Sequence, residues 1–202
     1  VKRKIFEPHV DFPSAALEMH FKQNPDDTYK KRGIELLAGC VLARAFERMD
    51  GYLPVIVVPL RKHTVKPPSI PEVIADKSLH VDGPIDLYLK NQDNTAHPVE
   101  ITRLEEHFVG EDGSEGLVTL LRKKDNRSPD EDMILAVLVD VDATGELEKV
   151  RTYLEGKPYP FGFIFLIGQF GKDIRLGHFS CRMLHPFVKE PVYVQLSWDD
   201  GP

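Results

Sequence analysis

The chain has 202 residues, enough for one sizeable hydrophobic core with an extension. Hydrophobic residues make up 42% and charged residues 29%, the balance of a globular protein in water, and no apolar run approaches the roughly 20 residues of a membrane span. A net charge of −6 argues against a protein that coats nucleic acid nonspecifically, and two cysteines, Cys40 and Cys181, make neither a disulfide framework nor a zinc cluster.

The amino end, "VKRKIFEPHVDF", carries basic residues with no apolar stretch behind them, so it does not read as a secretory signal. The first ~25 residues are expected to form an arm or cover, and residues 26–202 one α/β domain. In "DDTYKKRGIELLAGCVLARAFERMDGY", Ile34, Leu37, Ala38, Val41, Leu42, Ala45 and Met49 recur at three- and four-residue spacing. That spacing predicts a helix with one buried face. Asp26, Asp27 or Thr28 is the expected cap, Gly51 the expected stop, and Cys40 a small buried apolar group. Glu35 falls at the edge of the apolar stripe, neither central in the core nor turned fully to water.

"YLPVIVVPL" predicts a short strand, and the proline-rich "KPPSIPEVIAD" an irregular loop with at most one helical turn. "GPIDLYLKNQDNTAHPVEITRL" then reads as a hairpin. After the break "GEDGSEG", "LVTLLRKK" is read as a short helix, and "MILAVLVDVD" as a strand buried on both faces. "TGELEKVRTYLEG" reads as a helix capped by Thr144 and closed by Gly156. "FGFIFLIGQF" reads as a second buried strand paired with "DIRLGHFS". A strand, a helix and a strand in succession imply a right-handed crossover, hence a single-domain mixed β-sheet flanked by helices. No internal repeat or low-complexity tract interrupts this order.

The hairpin holds the chemistry. Side chains alternate between faces with period two. Ile85, Leu87 and Leu89 therefore share one face of the first arm, and Asp86, Tyr88 and Lys90 the other. In the second arm Val99, Ile101 and Arg103 oppose Glu100 and Thr102. With the turn near "QDNT", the numbers of opposing residues sum to about 186 to 188, and either even sum puts Asp86, Glu100 and Thr102 on one face. Facing carboxylates repel unless a positive charge lies between them, and a divalent cation is the simplest one to hold there. The plainer alternative is that both acids are solvated and screened.

The wider order bears on that choice. A helix carrying Glu35, a strand, a hairpin with an acid on each arm, then a helix and a buried strand resembles the PD-(D/E)XK nuclease superfamily, the restriction endonuclease-like fold. "GPIDLYL" is similar to its proline–aspartate strand, with Ile85 inserted, and "VEITR" to its E-x-K strand; the likeness spans roughly Thr28 to Asp142. The resemblance implies Mg²⁺ or Mn²⁺ held by Asp86, Glu100, the Ile101 carbonyl and Glu35, and a nuclease acting on DNA. Thr102 occupies the position of the family's lysine. Thr102 would position the attacking water, and Lys90, on the face of Asp86, would supply an amine. Loss of the lysine also fits a degenerate member of the fold that binds nucleic acid or protein without cutting.

Other features are less specific. The basic segments "RKHTVK" and "RKKDNR" could hold phosphates or be solvated surface. His97, before Pro98, reads as a solvated turn residue ahead of a third ligand, and the eight histidines show no zinc-binding spacing. Gln169 lies where it could face a cleft at a strand end, and Tyr153, Tyr159, Phe161, Phe163 and Phe165 read as core and edge packing rather than a base-stacking platform. The expected setting is the cytoplasm, away from membranes, as a monomer or an oligomer.

Overall fold

A computed structural model describes residues 4–6, 30–60, 83–104, 114–126, 130–139, 147–155, 158–168 and 177–196. Among them are three helices and eight strands, so the chain is α/β. It divides into two compact units, Val1–Pro98 with Gln195–Pro202, and Val99–Val194. No helix among the described residues is long and apolar enough to cross a membrane.

In the first unit, β1 (Lys4–Phe6) and β3 (Leu87–Lys90) both pair antiparallel with β2 (Val55–Leu60). Each covers half of it: β3 pairs with Val55 to Val57, and β1 with Val58 to Leu60. Pro59, which has no N–H to give, falls in the half facing the short arm strand. Helix α1 (Lys30–Asp50) packs on β2 and β3. Residues 35–43 are buried all round, a deeper burial than the one-faced helix predicted from spacing. The cause is composition: "LLAGCVLA", between Glu35 and Arg44, offers no charged residue to a solvent face. At Gly39 the helix lies close to β3: an added Cβ would stand 2.7 Å from Leu87 Cδ2, the tip of a side chain. Gly51 ends the helix as expected, at φ 74° with its N–H donating to Glu47 O at 2.9 Å. The expected caps at Asp26 to Thr28, and the "RKHTVK" and "KPPSIPEVIAD" segments, lie outside the described residues.

Strand β3 alternates as predicted, Leu87 and Leu89 buried, Tyr88 and Lys90 half-buried. It begins at Leu87, however, so Asp86 precedes the strand rather than lying within it. The turn closes through Asn91 N–H to Thr95 O at 2.8 Å, a pair whose numbers give the lower of the two expected sums. Three residues bridge it, the last being Asn94 at φ 68°, the left-handed position a three-residue hairpin loop requires.

In the second unit the strand order is β4 (Ala96–Arg103, from Val99 onward), β5 (Asp130–Leu138), β6 (Phe161–Gly168), β7 (His178–His185) and β8 (Val192–Gln195, to Val194). Strands β4, β5 and β6 are parallel, and β7 runs antiparallel to β6. Helix α2 (Ser114–Lys124) joins β4 to β5, and α3 (Glu148–Leu154) joins β5 to β6. The chain order α1–β2–β3–β4–α2–β5 is the predicted one. Met133 to Leu138 are buried, as expected of a strand covered on both faces.

Local details differ from the sequence reading. Helix α2 takes in Ser114 to Gly116, assigned above to a break, and its last turn absorbs Arg122, Lys123 and Lys124, so half of the "RKKDNR" segment is helix. The residue capping α3 is Leu147, with no side-chain cap, so Thr144 is not its cap; Thr144 and Gly156 lie outside the described residues. Strand β7 starts at His178, later than "DIRLGHFS" implies. Near its start, β5 bulges: Asp130 pairs with Phe161 and Ile134 with Phe163, so three residues of β5 face Gly162 alone. A Cβ on Gly162 would collide with the Glu131 carbonyl. Gln169 falls outside the described residues.

Candidate functional site

Glu100 sits in the middle of β4, opposite Leu135 of β5, and is only 5% exposed. Sequence alternation put the core on the face of Val99; both faces are in fact buried at this point, because α2 covers the face of Glu100. A carboxylate taken out of water requires a charged or hydrogen-bonding partner. Lys124 supplies one, its Nζ 2.5 Å from Glu100 Oε1. The lysine projects from the last turn of α2, where a cation also meets the negative end of the helix dipole.

Lys124 is the residue that the sequence reading missed. Its signal was present: Leu117, Leu121 and Lys124 stand at i, i+4 and i+7, so this lysine continues the apolar stripe of α2. Leu117 and Leu121 are buried, and Lys124 follows them toward the sheet. A basic residue on the core side of a helix needs a buried acid, and the acid is Glu100.

Around the pair lies a group of aromatic hydroxyls and acids. Tyr159 O–H donates to Leu121 O at 2.6 Å. Burial first, then the negative charge of Asp125, Tyr153 and Glu100, pushes the Tyr159 phenol well above its ordinary range. Tyr153 O–H donates to Asp125 Oδ2, the residue following Lys124. The Tyr153 ring meets Tyr159 edge-on at 6.4 Å and lies 5.6 Å beneath the Arg122 guanidinium. Tyr159, Phe161 and Phe165 are buried packing residues, as predicted, whereas Phe163 and Tyr153 are half-buried.

Thr102 lies two residues along β4 from Glu100, opposite Val137, half-buried and on the same face by alternation. The row runs on through Leu166 to Arg182, a buried cation at 7% exposure. Three strand spacings of about 4.8 Å each separate Thr102 from Arg182, too far for both to touch one small group. Ile101 is half-buried and points to the opposite face, with Arg103 exposed.

The other residues assigned from sequence belong to the first unit. Glu35 is 6% exposed, deeper than its place at the stripe edge predicts. Asp86 is half-buried just before β3, and Lys90, also half-buried, ends that strand opposite Val55. His97 is half-buried rather than solvated, its Nε2 3.3 Å from Asn91 Nδ2, which pins the ring to the turn. Among the described residues no group of three or more His, Cys, Asp and Glu side chains is gathered so as to hold a metal ion.

Compared with protein-family models, with curated proteins and with solved structures, the chain matches none of them.

Proposed function

We propose that the chain is a metal-dependent phosphodiesterase acting on DNA, built on a restriction endonuclease-like fold. The observation that carries this reading is the Glu100–Lys124 pair: a buried acid on the "VEITR" strand with an amine 2.5 Å away. Thr102 leaves that strand without a lysine, and Lys124 brings a lysine to the same carboxylate from the following helix. The ammonium beside Glu100 also marks a position that accepts positive charge, which suits a hard cation with oxygen ligands.

Glu100 would hold Mg²⁺ or Mn²⁺, with Asp86, the Ile101 carbonyl and Glu35 as the further ligands that the family resemblance implies. The bound cation would polarise a phosphodiester oxygen and lower the pKa of a coordinated water. Lys124, displaced from Glu100 by the incoming cation, would turn its ammonium to the phosphate, where charge develops in the transition state. The Thr102 hydroxyl would orient the attacking water by accepting or donating one hydrogen bond. Lys90 remains the second amine assigned from sequence.

The test is cleavage of supercoiled plasmid and labelled single strands in Mn²⁺. Wild type should cut, Glu100→Gln and Asp86→Asn should not, and Lys124→Ala should lose about 10²-fold in rate, the usual worth of one well-placed charge stabiliser. Thr102→Lys in the Lys124→Ala background should restore part of the loss. Cutting that persists in Glu100→Gln overturns the assignment.

A second reading, a nucleic-acid or protein interaction module of the same fold that does not cut, is favoured by one observation: Lys124 closes Glu100. It predicts nucleic-acid binding without cleavage in wild type and in Thr102→Lys alike.

A further inference from the structure

A cleft of about 540 Å³ lies between α2 and α3, a volume suited to one small planar ligand. Arg122 and Tyr153 form one wall, with the guanidinium over the ring and 5.6 Å from its centroid, within cation–π reach. Thr119 and Thr152 add hydroxyls, and Glu148 adds a carboxylate. At the rim, Lys149 is already paired with Glu115 at 3.2 Å. The lining is thus close to neutral, with one stacked plane and several donors and acceptors. An isolated phosphate calls for concentrated positive charge; a heteroaromatic ring with amino and carbonyl edges matches these walls better.

The cleft adjoins the Glu100–Lys124 pair through the covalent chain. Arg122 and Lys124 share the last turn of α2, and Tyr153 is tied to Asp125, the next residue. Exposed Lys123 lies between them in the same turn. From this we infer that the α2–α3 cleft takes one unpaired nucleobase of a DNA strand, stacked on the Arg122–Tyr153 plane. Arginine planes and aromatic rings are the usual platforms for unstacked bases, and every base has a π-face, so sequence preference should be slight. The inference rests on the phosphodiesterase reading and adds to it a preference for single-stranded substrate, since a base within a duplex is already stacked and paired.

The test measures anisotropy of a fluorescein-labelled single strand and of a blunt two-stranded duplex of the same length, with the full chain in EDTA. Wild type should bind the single strand more tightly. Tyr153→Ala should weaken that binding about tenfold, as expected for one lost stacking contact, and leave duplex binding unchanged. Thr152→Trp fills the cleft from an exposed position without removing packed groups, so it should have the same effect even if Tyr153→Ala folds poorly. Equal losses on both ligands, or no loss from Thr152→Trp, overturn the cleft assignment. If wild type cuts in Mn²⁺ while neither variant changes affinity, the cleft assignment fails and the phosphodiesterase reading stands. If wild type binds neither ligand and cuts nothing, both fail.

Discussion

Lys124 and Glu100 are worth more together than either is alone. Removing the lysine takes away the ammonium 2.5 Å from a 5%-exposed carboxylate, and breaking a buried pair from one side typically costs about 3 kcal/mol. Replacing both by apolar residues removes the desolvation penalty as well as the attraction. Lys124→Ala should therefore lower the urea midpoint clearly, while Glu100→Leu with Lys124→Met should return it close to the wild-type value. A double variant as unstable as the single one would mean that the pair does not act as a unit. Tyr159 gives a second residue-scale prediction. Its phenol is raised in the folded state, so the unfolded chain releases the proton first, at its ordinary value near 10.0. The associated stability is complete below that pH and is lost as pH rises toward the folded value. Tyr159→Phe should flatten the alkaline fall in melting temperature, at a cost near neutral pH of about 1 kcal/mol for the hydrogen bond to Leu121 O.

Two glycines show how elements set what a residue change costs. At Gly162 an added methyl group would strike the Glu131 backbone within the β5 bulge, and backbone cannot step aside as a rotamer can. Gly162→Ala should cost about 3 kcal/mol, read as a fall of roughly 6–12 °C in melting temperature. At Gly39 the obstacle is the tip of the Leu87 side chain, and alanine favours the helix by about 1 kcal/mol over glycine, so Gly39→Ala should be close to neutral. The same distinction between local pattern and long-range contact separates what the sequence reading reached from what it did not. Helical spacing predicted α1, period-two alternation the β3–β4 hairpin, and short apolar runs β2, β5 and β6, because each buries its own apolar residues. Three-residue β1 and the exposed β8 carry no such pattern. The depth of Glu35 and Glu100 depends on what covers them, and spacing along one element does not encode that. Lys124 is the mixed case, since its place in the stripe is local but its partner is 24 residues away.

At the scale of the whole molecule, a net charge of −6 restricts where DNA can lie. If Arg122, Lys123 and Lys124 make the phosphate contacts, a single strand releases about 0.7 counterion per contact, about two in all. A plot of log affinity against log salt should therefore have a slope no steeper than about −2. A much steeper slope would point to a basic surface elsewhere in the chain. Metal binding has its own global readout. A cation that binds only the folded protein stabilises it by about 2.7 kcal/mol at a hundredfold excess over its dissociation constant. Millimolar Mn²⁺ should raise the melting temperature of wild type and leave that of Asp86→Asn unchanged; a null result with wild type would remove the metal from the proposal.

The two cysteines divide between the compact units: Cys40 on α1 in the first, Cys181 on β7 in the second. Neither thiol is in a disulfide and both are buried; burial raises that of Cys181 to about 12, so its reactive thiolate is scarce in the native protein. An alkylating reagent can reach either sulfur only while its surroundings are open. Intact-mass or peptide-level labelling over time would then clock the breathing of each half separately, in the natural sequence and without an added probe. Repeating the time course with Mn²⁺ or a single strand present would show which half each ligand quiets.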